Sequence, residues 1–350
     1  MINKKRILVI FGGMSNEYEV SLQSAYAVIT NFNREKYEIL TIGITRSGRW
    51  FHFHGAPELL LRDEWYGEET CTPAILSPDR GHHGILKYSG AQCICLPVDL
   101  IFPVLHGKNG EDGTVQGLAE LAGIPLIGCG IFASAAGMDK AAAHTLAQAA
   151  GLRVPPSAVL NHPVSLPELK QRTAGLKYPL FVKPARAGSS FGITKAANEE
   201  MLARAVQYAF ETDSKVVIEE AVPGFEVGCA VIGNEYLLLG AVDEIELAGD
   251  FFDYQEKYSR ASSKIHLPAR IPSDTARRIQ QAAATVYEAL GCRGFARADF
   301  FLTPENEIIF NEINTIPGLT ASSRYPSMLA KIGIPFSEML DRLAALAQEE

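Results

Sequence analysis

The chain has 350 residues, a formal net charge of −8 and no run that is rich in lysine or arginine. This balance argues against nucleic acid as a partner, and no apolar run reaches the length of a membrane-spanning helix. The length exceeds one ordinary hydrophobic core, so we expect two or three domains. None of the six cysteines forms a Cys-x-x-Cys pair, which favours reduced thiols in a cytoplasmic protein.

The first third of the chain alternates strand and helix patterns. It contains one predicted helix, at 20–32, and three predicted strands, at 6–11, 37–45 and 98–105. This alternation is typical of an open, doubly wound parallel sheet in an α/β protein. Residues 52–92 show little periodicity, and we expect variable surface structure there.

The character of the sequence changes after residue 130, where an alanine-rich helix is predicted at 133–151. Strands and helices follow to the end of the chain, with predicted strands at 154–158, 178–184, 216–220, 226–233 and 235–245 and predicted helices at 167–174, 199–210, 274–290 and 336–350. We expect an N-terminal domain over 1–130, a central subdomain over 131–222 and a C-terminal subdomain over 223–350.

The segment around residues 297–314 carries the strongest chemical signal. Asp299 lies in the apolar run ADFFL, and Glu312 and Asn314 lie two residues apart in EIIFNEIN. Strand alternation directs the latter two side chains to one face. Two carboxylates and a carboxamide oxygen, without histidine or cysteine, suit Mg²⁺ beside a nucleotide phosphate. The alternative is the polar edge of a hairpin.

Several upstream residues suit a nucleotide. Lys183 ends the apolar strand YPLFVK, and Lys140 opens the alanine-rich helix; a phosphate would compensate either ammonium group, although a solvated surface position is the alternative. The loop 188–192 is rich in glycine and serine and suits phosphate binding without being a Walker A sequence. Glu219 and Glu226 flank a turn and could accept hydrogen bonds from adenine or ribose.

Two further segments lie where predicted parallel strands end. Glu19 follows the first strand and Gly12-Gly13, and His106 follows the strand VDLIFPVL. Open α/β sheets bind ligands at this carboxyl edge. We therefore expect both residues to border a cleft.

Together these segments resemble the ATP-grasp ligases, and specifically the D-alanine–D-alanine ligase family with its vancomycin-resistance relatives. The resemblance covers nearly the whole chain and rests on EVSLQS, LHGKNGEDGTVQG, MDK, VKPARAGSSFG, FFDYQEKY and NEINTIPG, in the family's order. It implies three subdomains, with ATP held between two antiparallel sheets. It also implies phosphorylation of a D-alanine carboxylate by ATP, attack by the amine of a second D-amino acid, and release of ADP and phosphate.

The resemblance also implies roles for individual residues. The nucleotide would be bound by Lys140, Lys183, Glu219 and Glu226, and the magnesium ions (with Mn²⁺ as an alternative) by Asp299, Glu312 and Asn314. Arg297 and the Gly318 N–H would stabilise the oxyanion, and Glu19 would anchor the first D-alanine with His106 nearby. Glu19, Ser189 and Tyr258 would close a loop over the site, Lys257 would approach the transferred phosphate, and Ser323 would bind the second carboxylate.

Two positions favour D-serine as the second substrate. Phe252 stands where ordinary members of the family typically carry tyrosine, and Arg324 stands where they often carry leucine or methionine. The Glu256-Lys257-Tyr258 stretch is kept, and the loop lacks the histidine of D-lactate-using relatives. The resemblance thus favours a D-alanine–D-serine ligase of glycopeptide resistance, with the housekeeping D-alanine–D-alanine ligase as the alternative.

Two rival functions are compatible with the same fold. A nucleotide-binding protein that kept the fold and lost the chemistry would be marked by a missing metal ligand, oxyanion arginine or closing tyrosine, and all of these are present. Another ATP-grasp ligase is disfavoured by the YEVSL and EKY stretches. From the resemblance alone we expect a homodimer.

Overall fold

Three β-sheets organise the residues that the computed structural model describes, which are 4–188, 192–247 and 263–349. The sheets follow one another along the chain and contain seven, four and six strands in the described ranges. No helix in these ranges is long and apolar enough to cross a membrane. The six cysteines are all free thiols.

The N-terminal sheet has the order β6-β5-β4-β3-β2-β1-β7. Its strands are β1 (Lys5–Gly12), β2 (Tyr37–Ile44), β3 (Trp50–Phe53), β4 (Cys71–Leu76), β5 (Gly84–Ser89), β6 (Gln92–Pro97) and β7 (Leu100–Val104). Strand β1 pairs in parallel with β2 and β7, as expected, whereas β2 to β6 pair antiparallel. Helix α1 (Tyr18–Asn31), a 3₁₀ helix (Pro57–Arg62) and α2 (Thr114–Ala122) complete this part.

Residues 52–92 therefore form regular strands rather than the variable surface structure that we expected. The sequence does not indicate these strands because they are short and because the outermost strand, β6, is exposed on both faces. Without a buried face, a strand shows no alternation of apolar and polar residues.

The central sheet is antiparallel, in the order β10-β9-β11-β8. It consists of β8 (Ser157–Leu160), β9 (Leu180–Pro184), β10 (Thr194–Ala196) and β11 (Val216–Glu220), covered by α5 (Leu166–Thr173) and α6 (Glu199–Thr212). Both helices have side-chain caps, because Ser165 and Asn198 accept from the first-turn N–H groups of Glu168 and Met201.

The C-terminal sheet is also antiparallel, in the order β15-β14-β12-β16-β17, with β13 beside β12. It consists of β12 (Phe225–Ile232), β13 (Leu238–Leu239), β14 (Asp243–Leu247), β15 (Ser263–His266), β16 (Phe295–Leu302) and β17 (Ile308–Asn314), with helices α7 (Ser273–Ala289), α8 (Arg324–Lys331) and α9 (Phe336–Leu346). Two antiparallel sheets thus follow the N-terminal one, as the family resemblance implied.

The single helix predicted at 133–151 is two helices, α3 (Ile131–Met138) and α4 (Lys140–Ala149). Asp139 separates them because its backbone is extended and its carboxylate accepts from Ala141 N and Ala142 N. Lys215 of the central subdomain holds the same carboxylate at 2.9 Å. Helices α3 and α4 pack against β17, so they lie with the C-terminal sheet although we assigned residues 131–149 to the central subdomain.

The N-terminal and C-terminal sheets share one hydrophobic core. Phe102 of β7 meets Phe295 of β16 edge to face at 6.0 Å between ring centroids, and Phe295 meets Tyr325 at 5.6 Å. The same cluster of buried side chains runs from β1 to α9. This shared core fixes the carboxyl edge of the N-terminal sheet against the loop that follows β17.

Gly43 on β2 offers a test of this packing. A methyl group there would lie 2.3 Å from the Trp65 ring and 2.8 Å from the Phe11 ring, so Gly43→Ala should lower the free energy of unfolding by about 1–3 kcal/mol. Gly175→Ala is the matched control, since nothing lies within 4 Å of its added carbon. Urea unfolding of both variants measures the difference; equal midpoints would contradict this packing.

Candidate active site

Strands β16 and β17 bring the predicted metal ligands together. Asp299 lies opposite Glu312 and Arg297 lies opposite Asn314. The register then shifts, because Phe300 pairs with Phe310 and one residue of β17, Asn311, is left over. Such a bulge redirects side chains locally. The amide Nδ2 of Asn314 donates to Asp299 Oδ2 at 3.0 Å, so these two side chains share a face of the sheet.

Two buried arginines neutralise the carboxylates around this strand pair. Arg297 donates through Nε and Nη2 to Asp299 at 2.7–3.1 Å. Arg324 donates to both oxygens of Asp243 at 2.7 and 2.8 Å, and its Nη1 donates to Glu226 at 3.0 Å. Its Nη2 also lies 3.2 Å from Asp299. We call these five residues the acidic cluster.

The cluster depends on burial and on mutual compensation of charge. Asp243 is fully buried and Asp299 is 1% exposed. Burial opposes the charge on Arg297 and Arg324, but the carboxylates outweigh it and raise the pKa of both guanidinium groups. Removing one partner would leave an uncompensated buried charge.

Gly228 of β12 makes room for the acidic cluster. It lies opposite Asp299 in the sheet, and a side-chain carbon there would lie 2.4 Å from Arg324 Nη2, 2.7 Å from Asp299 Oδ1 and 2.9 Å from Asp243 Oδ1. The absence of a side chain therefore allows one guanidinium group to reach carboxylates from two strands.

The predicted metal ligands fit magnesium by chemistry, but Asp299 is already engaged. Its oxygens contact Arg297, Arg324 and Asn314. In the described ranges no group of three or more His, Cys, Asp or Glu residues is arranged to hold a metal ion. An ion that bound to Asp299 would therefore have to take the place of these guanidinium contacts.

The predicted nucleotide residues gather between the central sheet and β17. Lys183 Nζ lies 2.5 Å from Glu219 Oε2, on neighbouring strands. Burial acts to raise the pKa of Glu219, yet the neighbouring Lys183 ammonium group opposes it and the pKa is lowered. Lys140 Nζ donates to the Ala187 carbonyl at 3.0 Å and lies 3.8 Å from Glu312 Oε2. Glu226, in contrast, contacts Arg324 in the acidic cluster.

His106 lies at the interface between the N-terminal sheet and the loop after β17. Its Nδ1 is 2.8 Å from the Ile316 carbonyl, which can only accept, so Nδ1 carries the hydrogen. Its Nε2 then accepts from Ser24 Oγ at 3.0 Å, and Ser24 Oγ accepts from Leu319 N at 3.2 Å. Burial lowers the pKa of His106. Both ring nitrogens have protein partners, so His106 positions the loop around Gly318 and does not present a free nitrogen to substrate.

Glu111 reinforces the same contact between domains. Its two oxygens accept from Gly107 N at 2.9 Å and Ile316 N at 3.0 Å. Burial raises the pKa of Glu111 to about 8, and the negative charges of Glu17 and Glu312 act in the same direction. Glu111 therefore lies within electrostatic reach of both Glu17 and the predicted metal ligand Glu312.

The structure corrects the prediction for Glu19. Its side chain is 61% exposed and pairs with Arg46 on the outer face of α1. Glu17, two residues earlier, faces the site instead: its Oε2 lies 2.6 Å from the position of an added carbon on Gly107 and 2.3 Å from one on Gly188. The α1 helix begins at Tyr18, and this start turns the two glutamates to different sides.

Ser323 immediately precedes α8. Its hydroxyl accepts from Thr320 N at 3.1 Å and lies 2.7 Å from Thr320 Oγ1. A side-chain carbon on Gly318 would meet the same hydroxyl at 3.0 Å. The predicted oxyanion glycine and the predicted carboxylate-binding serine are thus adjacent, beside a helix N-terminus that favours anions.

The remaining predicted residues, Ser189, Phe252, Lys257 and Tyr258, lie outside the described residues. Sequence patterns alone also missed several side chains of the site, which are Glu17, Ser24, Glu111, His144 and Asp243. Glu111 lies inside a motif of the family resemblance and Glu17 lies just before one, whereas Asp243 is brought to Arg324 only by tertiary structure.

Comparisons with known proteins identify the family of the chain. Family models described as D-ala D-ala ligase N-terminus and C-terminus match residues 6–129 and 146–345. The crystal structure of the VanG D-Ala:D-Ser ligase from Enterococcus faecalis is 53% identical, with a TM-score of 0.92, covering 99% of this chain and 100% of that one. Vancomycin B-type resistance protein VanB of E. faecalis is 45% identical over 99% of this chain and 100% of its own length. A D-alanine–D-alanine ligase of Caldicellulosiruptor bescii is 40% identical over 100% of this chain and 96% of its own.

The Ser24 hydroxyl provides a test of the contact between domains. Ser24→Ala removes the partner of both His106 Nε2 and Leu319 N, which are buried, and should lower the free energy of unfolding by about 1–3 kcal/mol. Thr145→Ala is the control, because its hydroxyl bonds to Ala141 O on an exposed helix face. Thermal and urea unfolding should separate the two variants, and a loss no larger for Ser24→Ala would contradict the assignment.

Proposed function

The chain belongs to the D-alanine–D-alanine ligase family, and on this premise we propose that it is an ADP-forming ligase that joins D-alanine to D-serine. The reaction passes through a D-alanyl phosphate made with ATP, which the amine of D-serine attacks. The product is a dipeptide precursor of peptidoglycan, made for glycopeptide resistance. The observation that carries the choice of D-serine is the buried Arg324–Asp243 pair.

Phosphoryl transfer requires neutralisation of negative charge more than covalent help from the protein. Lys140 and Lys183 supply positive charge at the nucleotide phosphates, while Glu219 and Glu226 hold the nucleoside. Each lysine already contacts a carboxylate, at 3.8 Å from Glu312 and 2.5 Å from Glu219. Both ammonium groups are thus held close to where the anion binds.

Magnesium is the metal whose ligand preferences match Asp299, Glu312 and Asn314, with Mn²⁺ as a substitute. Bound there with ATP, it would supply charge stabilisation for the transferred phosphoryl group. Arg297, which donates to Asp299 in this structure, would be the side chain that stabilises the oxyanion together with the Gly318 N–H. The 2.7 Å contact between Arg297 and Asp299 keeps the guanidinium at this position beforehand.

The first D-alanine binds with its ammonium group at Glu17, in place of the Glu19 that the sequence favoured. Support comes from the position of Glu17 Oε2 against Gly107 and Gly188 and from its electrostatic influence on His106 and Glu111. By the family resemblance, Ser189 and Tyr258 would help to exclude water from an acyl phosphate that would otherwise hydrolyse, and Lys257 would approach the transferred phosphate.

D-serine differs from D-alanine by one hydroxyl, which can both donate and accept a hydrogen bond. Three of the five N–H donors of Arg324 are used in hydrogen bonds to Asp243 and Glu226. A remaining donor and the Asp243 carboxylate supply the polar groups for the serine hydroxyl, and Ser323 binds the second carboxylate. The family resemblance assigns Phe252, which lies outside the described residues, to the same pocket. An apolar residue in place of Arg324 would leave the hydroxyl without this donor.

The second candidate is a housekeeping D-alanine–D-alanine ligase. It is favoured by relatives that carry this name at 40–43% identity over nearly the whole chain. A further relative, from Streptomyces coelicolor, is described as a putative D-alanine–D-lactate ligase, but the loop 251–258 lacks the histidine that D-lactate users carry. We further propose a cytoplasmic homodimer, because the reaction draws on ATP and family members commonly form dimers.

A competition assay tests the second substrate. With ATP, Mg²⁺, D-alanine and an equal concentration of D-serine at neutral pH, the protein should form more D-alanyl-D-serine than D-alanyl-D-alanine. Arg324→Leu should shift the product ratio toward D-alanyl-D-alanine by about tenfold or more. ADP release with D-alanine alone shows whether the variant is still folded and catalytic. A wild-type preference for D-alanine would reject D-serine and leave the ligase assignment intact.

A pair of variants tests the first-substrate site. Glu17→Gln should reduce kcat/KM for the first D-alanine about 100-fold or more, since a charge-assisted contact between the half-buried carboxylate and an ammonium group is lost. Glu19→Gln, which removes an exposed carboxylate of the same helix, should change it less than about twofold. Steady-state kinetics over a range of D-alanine concentrations gives both values. The reverse ranking would restore the original prediction for Glu19.

A further inference from the structure

His144 lies on α4 between the Lys183–Glu219 pair and strand β17, and the proposed function gives it no role. It is 4% exposed, and its ring meets Phe310 edge to face at 5.7 Å. Its Nε2 lies 2.8 Å from the carbonyl of Asn311, the extra residue of the bulge after Asp299. His144 thus connects the central sheet, which carries the nucleotide residues, with the strand that carries the predicted metal ligands.

The contact with Asn311 fixes the tautomer of His144. A carbonyl oxygen only accepts, so Nε2 must donate, and Nδ1 of the neutral ring carries a lone pair. Nδ1 lies 3.6 Å from Glu219 Oε1. Both atoms are buried, and neither has a hydrogen-bond partner in the described part of the chain. Two buried acceptors that face each other are unfavourable, and a proton on Nδ1 would turn them into a charge-assisted hydrogen bond.

The charges around His144 explain why that proton is absent without ligand. The negative charge of Glu219 on β11 favours protonation of His144, whereas the positive charges of Lys183 on β9 and Lys140 on α4 oppose it. Burial is the largest effect and lowers the pKa of His144; the Glu219 carboxylate and the Asn311 carbonyl act in the opposite direction. From β17, Glu312 is held at 3.8 Å by Lys140. With Lys183 at 2.5 Å from Glu219, that carboxylate already has its counter-ion.

We propose that His144 is a positioning residue for Glu219. The Nδ1 atom of His144 takes up a proton from solvent when a nucleotide phosphate draws Lys183 away from Glu219. This rests on the proposed function, in which Lys183 contacts the phosphates. Glu219 would then lose its counter-ion while still buried, and the imidazolium replaces it. One N–H bond forms, the proton comes from buffer, and no other bond changes. Glu219 thereby stays ionised and in place to accept from the nucleoside.

Proton uptake on nucleotide binding tests this assignment. The full-length protein is titrated with ADP and Mg²⁺ by isothermal calorimetry at one pH, in two buffers of different ionisation enthalpy. We expect the wild-type protein to take up a large fraction of one proton, about 0.5–1, per nucleotide. His144→Gln should take up clearly less and bind about three- to tenfold more weakly. His162→Gln, an exposed histidine on the loop after β8, should behave as wild type.

Several outcomes overturn the proposal. If the wild-type protein takes up no proton, the proposal is overturned without any variant, so the test does not depend on folding of His144→Gln. If His144→Gln fails to fold, His144→Asn is the second variant. Equal uptake by wild type and His144→Gln assigns the proton to another group. Weaker binding by His144→Gln without wild-type uptake makes His144 a direct acceptor instead. No binding of ADP with Mg²⁺ by the wild-type protein is a different result, since it removes the proposed function itself.

Discussion

The sheets place several acidic side chains close together and away from water. The structure depends on compensation of their negative charges. Asp299 faces Glu312 across β16 and β17, and fully buried Asp243 lies close by on β14. Like charges directly opposite in a sheet are destabilising, and burial makes each carboxylate more costly. Arg297 and Arg324 supply the compensation, with contacts of 2.7 Å to Asp299 and Asp243. Opposite charges are therefore already balanced in the part of the protein where we propose that a divalent cation and a substrate bind.

Carboxylates are compensated in a similar way in the two neighbouring parts of the site. Lys183 compensates the charge of Glu219 where the nucleotide is expected. The buried Nδ1 atom of His144 nearby has no hydrogen-bond partner in the described part of the chain. On the N-terminal side, Glu111 is held by two backbone N–H groups and has a pKa of about 8. We propose that a charged ligand arriving in each part exchanges one compensating contact for another, and we therefore expect binding of nucleotide, metal and amino acid to be electrostatically coupled.

Much of this arrangement could be predicted from the sequence because the information is local. Strand alternation placed Glu312 and Asn314 on one face, and the position of Lys183 followed from the end of a predicted strand. The position of Lys140 did not follow from the predicted helix at 133–151, because the structure divides that helix at Asp139. The predictions that failed depend on contacts between residues far apart in the sequence, or on the exact residue at which an element begins. Glu19 was predicted as the residue just before a helix at 20–32, but α1 begins at Tyr18, so Glu17 and not Glu19 precedes the helix. Pairing of distant strands, such as the one that brings Asp243 to Arg324, leaves no periodic signal.

Oxygen ligands on β16 and β17 should exchange their arginine partners for a divalent ion when nucleotide binds. The most direct measurement is anomalous X-ray diffraction from crystals grown with ADP and Mn²⁺. We expect a manganese peak bounded by Asp299, Glu312 and Asn314, with Arg297 no longer paired with Asp299. Manganese bound elsewhere, or nucleotide bound while the Arg297–Asp299 contact stays intact and no ion is present, would contradict this exchange.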